Sequence, residues 1–195
     1  EERHRDLAED RGLTGRRRSL RSFGRSSAYS IPMSEDLPVD EVIGALEEYQ
    51  RRTIVLYREH ADDPDACVKG LVRHHLGWTE EDPERAKMVS RYRGEVMAGP
   101  GRERLSASNA AYFAQSKEWM ETSRNSGAMP SVSFNVLHAL VFAPTQELCK
   151  HWLGGRLKKQ PTEYADAMGD AAWAGILAAG AALQTGQTTA EKMPG

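Results

Sequence analysis

Hydrophobic residues return every three or four positions from residue 37 onward, which is the spacing of one face of an α-helix. The first such stretch reaches about His60, and Asp36 or Asp40 is its predicted N-cap. Its apolar stripe consists of Val42, Leu46, Tyr49, Thr53, Leu56 and Tyr57. The stretch from residue 37 has neither the strict apolar–polar alternation of strands nor the turn signals of hairpins. The pattern therefore predicts an all-α protein.

Helix breaks divide the rest of the chain into five further helices. Acidic residues followed by proline, Asp63-Pro64 and Asp82-Pro83, predict two helix starts, the first running to Trp78 and the second bearing Ala86 to Val96. After the break at 99–101, the spacing predicts helices over 102–124, 131–153 and 161 to about 183. The 131–153 helix is apolar on nearly all sides and needs cover on most of them. The last is rich in Ala and Gly and is expected to pack closely against a neighbour.

Charge is distributed unevenly along the chain, although the formal net charge is only −2. Residues 11–30 contain six arginines and no acidic residue, whereas residues 31–195 carry 18 basic and 23 acidic residues. The two regions are therefore expected to meet different partners. Two cysteines are too few for a disulfide scaffold and are expected to be reduced thiols. Segments 125–146 and 171–190 are too polar or too short to span a bilayer, and no export signal is visible, so we expect a cytoplasmic protein.

Motifs for catalysis or metal binding are weak. The chain has no glycine-rich phosphate loop, no Cys-x-x-Cys pair and no nucleophile elbow. His74 and His75 are adjacent, so on a helix their side chains diverge by about 100° and are poorly placed to chelate one metal. We therefore predict a protein that is not an enzyme and has no metal site and no cofactor.

The 102–124 helix carries Asn109, Ser116 and Ser123 on the same side as large apolar residues. Buried polar groups cost free energy unless they are hydrogen-bonded, so this mixture indicates a cavity for a largely apolar small molecule. The alternative is that each of these residues simply belongs to the core. The predicted ligand-binding residues are Tyr57, His75, Met88, Tyr92, Asn109, Phe113, Ser116, Met120, Phe134 and His138.

Three segments resemble the effector domain of TetR-family transcriptional regulators. They are LVRHHLGWTEEDP at 71–83, APTQELCKHWLGGR at 143–156 and Ala-Ala-Trp at 171–173, and the resemblance covers roughly residues 37–180. It implies a TetR-like architecture: a small three-helix DNA-binding head at 1–37, a ligand-binding and dimerisation domain at 38–183, and a C-terminal tail at 184–195 that we expect to be disordered. It also implies a homodimer with a four-helix interface. The interface candidates are Phe142, Leu148, Trp152, Met168, Ala171, Ala172 and Gly175.

The head departs from the pattern of that family. Segments 7–12 (LAEDRG) and 28–37 (AYSIPMSEDL) resemble the ends of the family's first helix and of its whole head. Between them, residues 14–27 offer only Leu20 and Phe23 to bury, although a helix-turn-helix needs an apolar face on both helices. Three explanations stand: a divergent reading head, a flexible basic arm that binds phosphates, or an altered reading frame. We hypothesise the third, which sequencing of the coding DNA tests.

The resemblance implies a repressor that releases operator DNA when a small-molecule effector binds. The candidate DNA contacts are Arg16, Arg17, Arg18, Arg21, Arg25, Ser27 and Tyr29. The alternative function is a helical small-molecule-binding protein without specific DNA recognition. An all-α enzyme would need a convergent polar site that the sequence does not display.

Overall fold

The computed structural model describes the backbone of residues 37–191 and the side chains of residues 37–185. This part of the chain is all-α and contains no strand, as the hydrophobic pattern predicts. Its helices are α1 (Val39–Glu59), α2 (Pro64–Glu81), α3 (Pro83–Ala98), α4 (Arg102–Asn125), α5 (Phe134–Leu153) and α6 (Ala165–Glu191), with a 3-10 turn over Pro161–Tyr164. None of these described helices is both long and apolar enough to cross a lipid bilayer.

Side-chain caps fix where three of the helices begin. The Asp63 carboxylate accepts a hydrogen bond from the Ala66 amide at 3.0 Å, and that of Asp82 accepts one from the Arg85 amide at 2.9 Å. Both caps precede a proline in the first turn and confirm the predicted starts of α2 and α3. The Ser133 hydroxyl accepts from the Val136 amide, so α5 begins at Phe134 rather than at the predicted residue 131.

Other boundaries also differ from the predicted ones. Pro38 precedes α1, Asp40 lies inside its first turn instead of capping it, and Asp36 lies outside the described residues. α2 continues past Trp78 to Glu81, because the cap of α3 follows only at Asp82. α6 continues to Glu191, so residues 184–191 of the expected disordered tail are helical. Residues 192–195 of that tail lie outside the described part.

Three hydrophobic clusters hold the described helices together. The largest one, called here the main core, joins buried residues of α1, α2, α4, α5 and α6, with Leu71, Val141 and Ile176 fully buried. The second, called here the smaller cluster, lies where α1, α3 and α4 meet, around Ile43, Val96 and Leu105. A third, around Trp78 and Val89, joins α1, α2 and α3. α2 is central to the main core and makes its most extensive contacts with α6.

Small residues of α6 allow its backbone to approach its neighbours closely. A Cβ atom on Gly169 would lie 3.0 Å from Cγ of Lys69 on α2, and one on Gly180 would lie 2.3 Å from Cβ of Pro130. Ion pairs border the same contact, since Lys69 Nζ lies 2.9 Å from Asp170 Oδ1 and Arg73 Nη2 lies 2.6 Å from Asp166 Oδ1. The expected close packing of the Ala- and Gly-rich helix is confirmed.

Candidate functional site

A cavity of about 610 Å³ lies between α1, α2, α3, α4 and α5. Each helix contributes residues that recur at helical spacing, as in the α3 wall formed by Ala86, Val89, Ser90 and Arg93. The volume falls within the range of small-molecule sites, about 300–1,000 Å³, and the lining is mostly apolar and aromatic. The cavity is therefore the candidate functional site.

Aromatic rings form a continuous series along one side of the cavity. The centroids of Tyr49 and His75 lie 5.7 Å apart, and those of His75 and Phe142 lie 6.0 Å apart, both edge-on. The series continues from Phe142 to His138 at 4.7 Å and from His138 to Phe113 at 6.0 Å. Edge-to-face arrangements leave ring faces and edges available to a further ring, so the lining suits an aromatic guest.

Two half-buried polar side chains of the cavity wall, Tyr49 and His75, form a neutral pair. The Tyr49 hydroxyl and His75 Nδ1 are hydrogen-bonded at 3.0 Å. Burial, assisted by the charge of His74, lowers the pKa of His75 to about 4. Burial and the neighbouring Tyr112 raise the pKa of Tyr49 well above its usual value. Near pH 7 the pair therefore offers hydrogen-bonding groups without a net charge.

A second polar group in the wall links α1 to α4. The Gln50 amide nitrogen donates to Asn109 Oδ1 at 2.9 Å, and the Ser108 hydroxyl donates to Gln50 Oε1. Both Gln50 and Asn109 are buried, so this network satisfies polar groups that would otherwise be costly to bury. The network lies beside the open space and holds two walls of the cavity at a fixed separation.

Few groups in the cavity are suited to covalent chemistry. The Cys149 thiol lines the space, but burial raises its pKa, so it remains protonated and weakly nucleophilic near neutral pH. Within residues 37–185, no three His, Cys, Asp or Glu side chains are grouped so that they could hold a metal ion.

Four of the ten predicted ligand-binding residues line the cavity, namely His75, Asn109, Phe113 and His138. The other six lie elsewhere. Tyr57 and Met120 are buried in the main core, and Ser116 is buried with its hydroxyl donating to the Tyr112 carbonyl at 3.0 Å. Met88 and Tyr92 pack against the smaller cluster, and Phe134 packs against the edge of the main core. Ser116 shares a helix face with the lining residue Asn109, and Phe134 shares one with His138, so spacing along one helix does not reveal which part of a face meets the space.

Sequence reasoning missed several lining residues. Tyr49 is on the predicted stripe of α1, and Trp78 is at the predicted end of α2, but neither was assigned to the site. Arg93 could not be assigned to the site from the sequence. Because α3 is only weakly amphipathic, its pattern does not show which face turns inward. Phe142 was assigned to the dimer interface, yet its side chain is buried within the chain and lines the cavity.

The remaining interface candidates lie on α5 and α6 with varied exposure. Ala172 is buried within the chain, while Leu148, Trp152, Met168 and Gly175 are half-buried and Ala171 is exposed. A Cβ atom on Gly175 would lie 3.3 Å from Leu140 Cδ2, so this glycine faces α5 of its own chain. The outer surface of α6 is nevertheless apolar, because Leu177 and Leu183 are 46% and 49% exposed among exposed alanines.

The candidate DNA contacts, Arg16, Arg17, Arg18, Arg21, Arg25, Ser27 and Tyr29, lie outside the described residues. Comparison of the sequence with models of protein families finds no match, and comparison with curated proteins finds no significant relative.

Proposed function

We propose that this protein is a ligand-responsive transcriptional regulator, a repressor that binds operator DNA as a homodimer and releases it when a small molecule occupies the cavity. The observation that carries the proposal is the 610 Å³ cavity. Its α1 wall begins at Val39, separated by eight residues from the arginine-rich segment 11–30. A guest that contacts α1 thereby acts on the helix that leads into the proposed head.

The regulatory step requires two arrangements of the helices around the cavity. A ligand shifts the equilibrium between them only by the difference in its affinity for the two. The walls α1 and α4 are linked by Gln50 and Asn109, and α1 and α2 by Tyr49 and His75. A guest that competes for these hydrogen bonds favours a different separation of the helices, and the spacing of two heads along the DNA changes with it.

Apolar surface on α6 supports the homodimer. Leu177 is 46% exposed on a helix whose other exposed positions are largely alanine, and lasting interfaces between subunits are apolar. Leu177→Glu is expected to convert a dimer into a monomer in analytical ultracentrifugation. Val55→Glu is the matched control, since Val55 on α1 is equally exposed at 46% but lies outside α5 and α6. A Leu177→Glu protein that sediments like the wild type contradicts the interface.

Binding to DNA is tested by fluorescence anisotropy with fragments from upstream of the coding gene. Arginine contacts to phosphates predict an affinity that falls steeply as salt increases. Tighter binding of one such fragment than of scrambled DNA of equal length supports the proposal of a transcriptional regulator.

A second function is favoured by the scarcity of apolar residues at 14–27, where only Leu20 and Phe23 are available to a helix-turn-helix. The protein is then a helical small-molecule-binding protein without operator recognition. It would bind ligands in the cavity and show equal affinity for matched and scrambled DNA, or none for either.

A further inference from the structure

The charges around the cavity do not cancel. Three charged side chains line it: Arg93 on α3, and Glu147 and Lys150 on α5. Lys150 Nζ lies 3.3 Å from Glu147 Oε2, so those two charges compensate one another. Arg93 has no ion pair or hydrogen bond with any residue from 37 to 185. The described lining of the cavity therefore carries one uncompensated positive charge.

Arg93 lines the cavity although its side chain is exposed. Arg93 continues the lining face of α3, one turn beyond Val89 and Ser90. Burial first, and then the charge of Arg93, lower the pKa of His138 on the opposite wall. Arg91 differs, because its guanidinium lies 5.1 Å from the centroid of the Tyr92 ring and does not line the cavity. Of these two arginines, only Arg93 is placed to meet a guest.

The rest of the lining determines what such a guest must be. Aromatic side chains, among them Trp78, Phe113 and Phe142, would surround its body, and neutral polar groups offer hydrogen bonds. Aromatic rings also attract cations, but the free positive charge of Arg93 opposes a cationic guest. A buried charge is costly unless it is paired, so a charged group on the guest belongs beside Arg93 and must be negative.

We propose that the cavity binds an aromatic carboxylate, with its rings among Trp78, Phe113 and Phe142 and its carboxylate paired with Arg93. This inference rests on the proposed ligand-binding function and adds the charge and the chemical class of the ligand. Arg93 acts as the residue that selects for the anion, while the aromatic lining supplies affinity that does not depend on charge.

The test compares three probes that share one ring system: 2-naphthylacetate, the neutral 2-naphthylacetamide and the cationic 2-(2-naphthyl)ethylammonium. Isothermal titration calorimetry of the full chain is expected to give about fivefold tighter binding of the acetate than of the amide. The factor is modest because Arg93 is exposed and water screens its charge, and it is expected to shrink in 0.5 M NaCl.

Substitutions at Arg93 test whether this residue causes the preference for the acetate. Arg93→Gln is expected to bind acetate and amide equally, with the affinity for the amide retained, which also shows that the variant is folded. Arg93→Glu is expected to prefer the ammonium probe. Arg91→Gln, the matched control, is expected to keep the preference of the wild type.

Two results overturn the inference: equal affinity of the wild type for acetate and amide, or no binding of any probe. A preference for acetate that survives in Arg93→Gln also overturns the role of Arg93. Failure of the proposed regulator is a separate result, because it appears as equal binding of matched and scrambled DNA whatever the probes do.

Discussion

The main core and the cavity are built from faces of the same helices, yet they differ in the side-chain hydrogen bonds that join one helix to another. In the buried interior, the hydroxyls of Thr53, Ser116 and Thr145 donate to carbonyls three or four residues earlier in their own helices. Around the cavity, Tyr49 bonds to His75, and Gln50 bonds to Asn109 on another helix. The cross-helix side-chain pairs lie beside the open space, although local pairing occurs there too, since the hydroxyl of the lining residue Thr79 donates to the His75 carbonyl.

The two regions also differ in how completely they are filled. Leu71 in the main core is fully buried, whereas Leu46 beside the cavity is only half-buried and borders open space. Close packing makes a core sensitive to the loss of a single methyl group, and open space removes that sensitivity. The difference therefore predicts where substitutions will affect folding and where they will affect binding.

The largest expected effect tests this difference with one chemical change at two places. Leu71→Ala is expected to lower the free energy of unfolding by about 3–4 kcal/mol, because a fully buried leucine leaves a void. Leu46→Ala is expected to cost about 1 kcal/mol, because part of its side chain already faces open space. Urea denaturation followed by circular dichroism measures both. Equal losses would show that the cavity is closed in solution.

The next effect concerns His75, whose pKa in the folded protein is lowered to about 4. An imidazole in the unfolded chain titrates near pH 6.5, so the unfolded state binds protons more readily. The stability that neutral His75 contributes is present above pH 6.5 and is lost as the pH falls toward 4. Between pH 7 and pH 5 the expected loss is about 2 kcal/mol.

His75→Gln is expected to flatten this part of the pH profile, while the contributions of other groups remain in both proteins. The measured quantity is the difference between the two urea-denaturation profiles at pH 5, 6 and 7. His151→Gln, on the half-exposed end of α5, controls for the loss of a histidine as such. Parallel profiles for the wild type and His75→Gln would contradict a neutral His75 with a lowered pKa.

The sequence predicted the helices better than the faces they turn inward. Caps and breaks are local, so Asp63-Pro64, Asp82-Pro83 and the glycines at 99–101 located α2, α3 and α4 to within a few residues. The start of α5 was missed because Ser131 and Ser133 are equally good caps in sequence, and only the packing of the buried Val132 selects the second.

The site was less predictable because a cavity is a property of several helices together. Ser116 and Asn109 lie on one side of α4, seven residues apart, and only Asn109 lines the open space. Hydrophobic spacing identifies the buried face of each helix but does not tell which part of that face meets a neighbour. Arg93 illustrates the limit: its importance depends on the absence of a nearby carboxylate, which no pattern along α3 predicts.

A smaller effect is expected at the close contact of α6 with its surroundings. Gly180→Ala would place a Cβ 2.3 Å from Cβ of Pro130, so the helix or the proline must shift. Overpacking of this kind costs about 1–3 kcal/mol, against a gain of about 1 kcal/mol from the better helix propensity of alanine. A net loss of about 1 kcal/mol in urea denaturation is the expected result. A gain would mean that α6 packs more loosely than described.

The smallest effect is expected from another glycine-to-alanine substitution, in the α3 helix beside the cavity. Gly94 lies within α3, next to Arg93, and a Cβ there would meet no atom within 4 Å. Gly94→Ala is therefore expected to raise the free energy of unfolding by about 0.5–1 kcal/mol, since alanine loses less backbone entropy in a helix. Binding of 2-naphthylacetate is expected to be unchanged, because the added methyl group enters solvent and not the cavity. Destabilisation by Gly94→Ala would mean that residue 94 is not helical in solution, and it would contradict the position of Arg93 in the α3 wall.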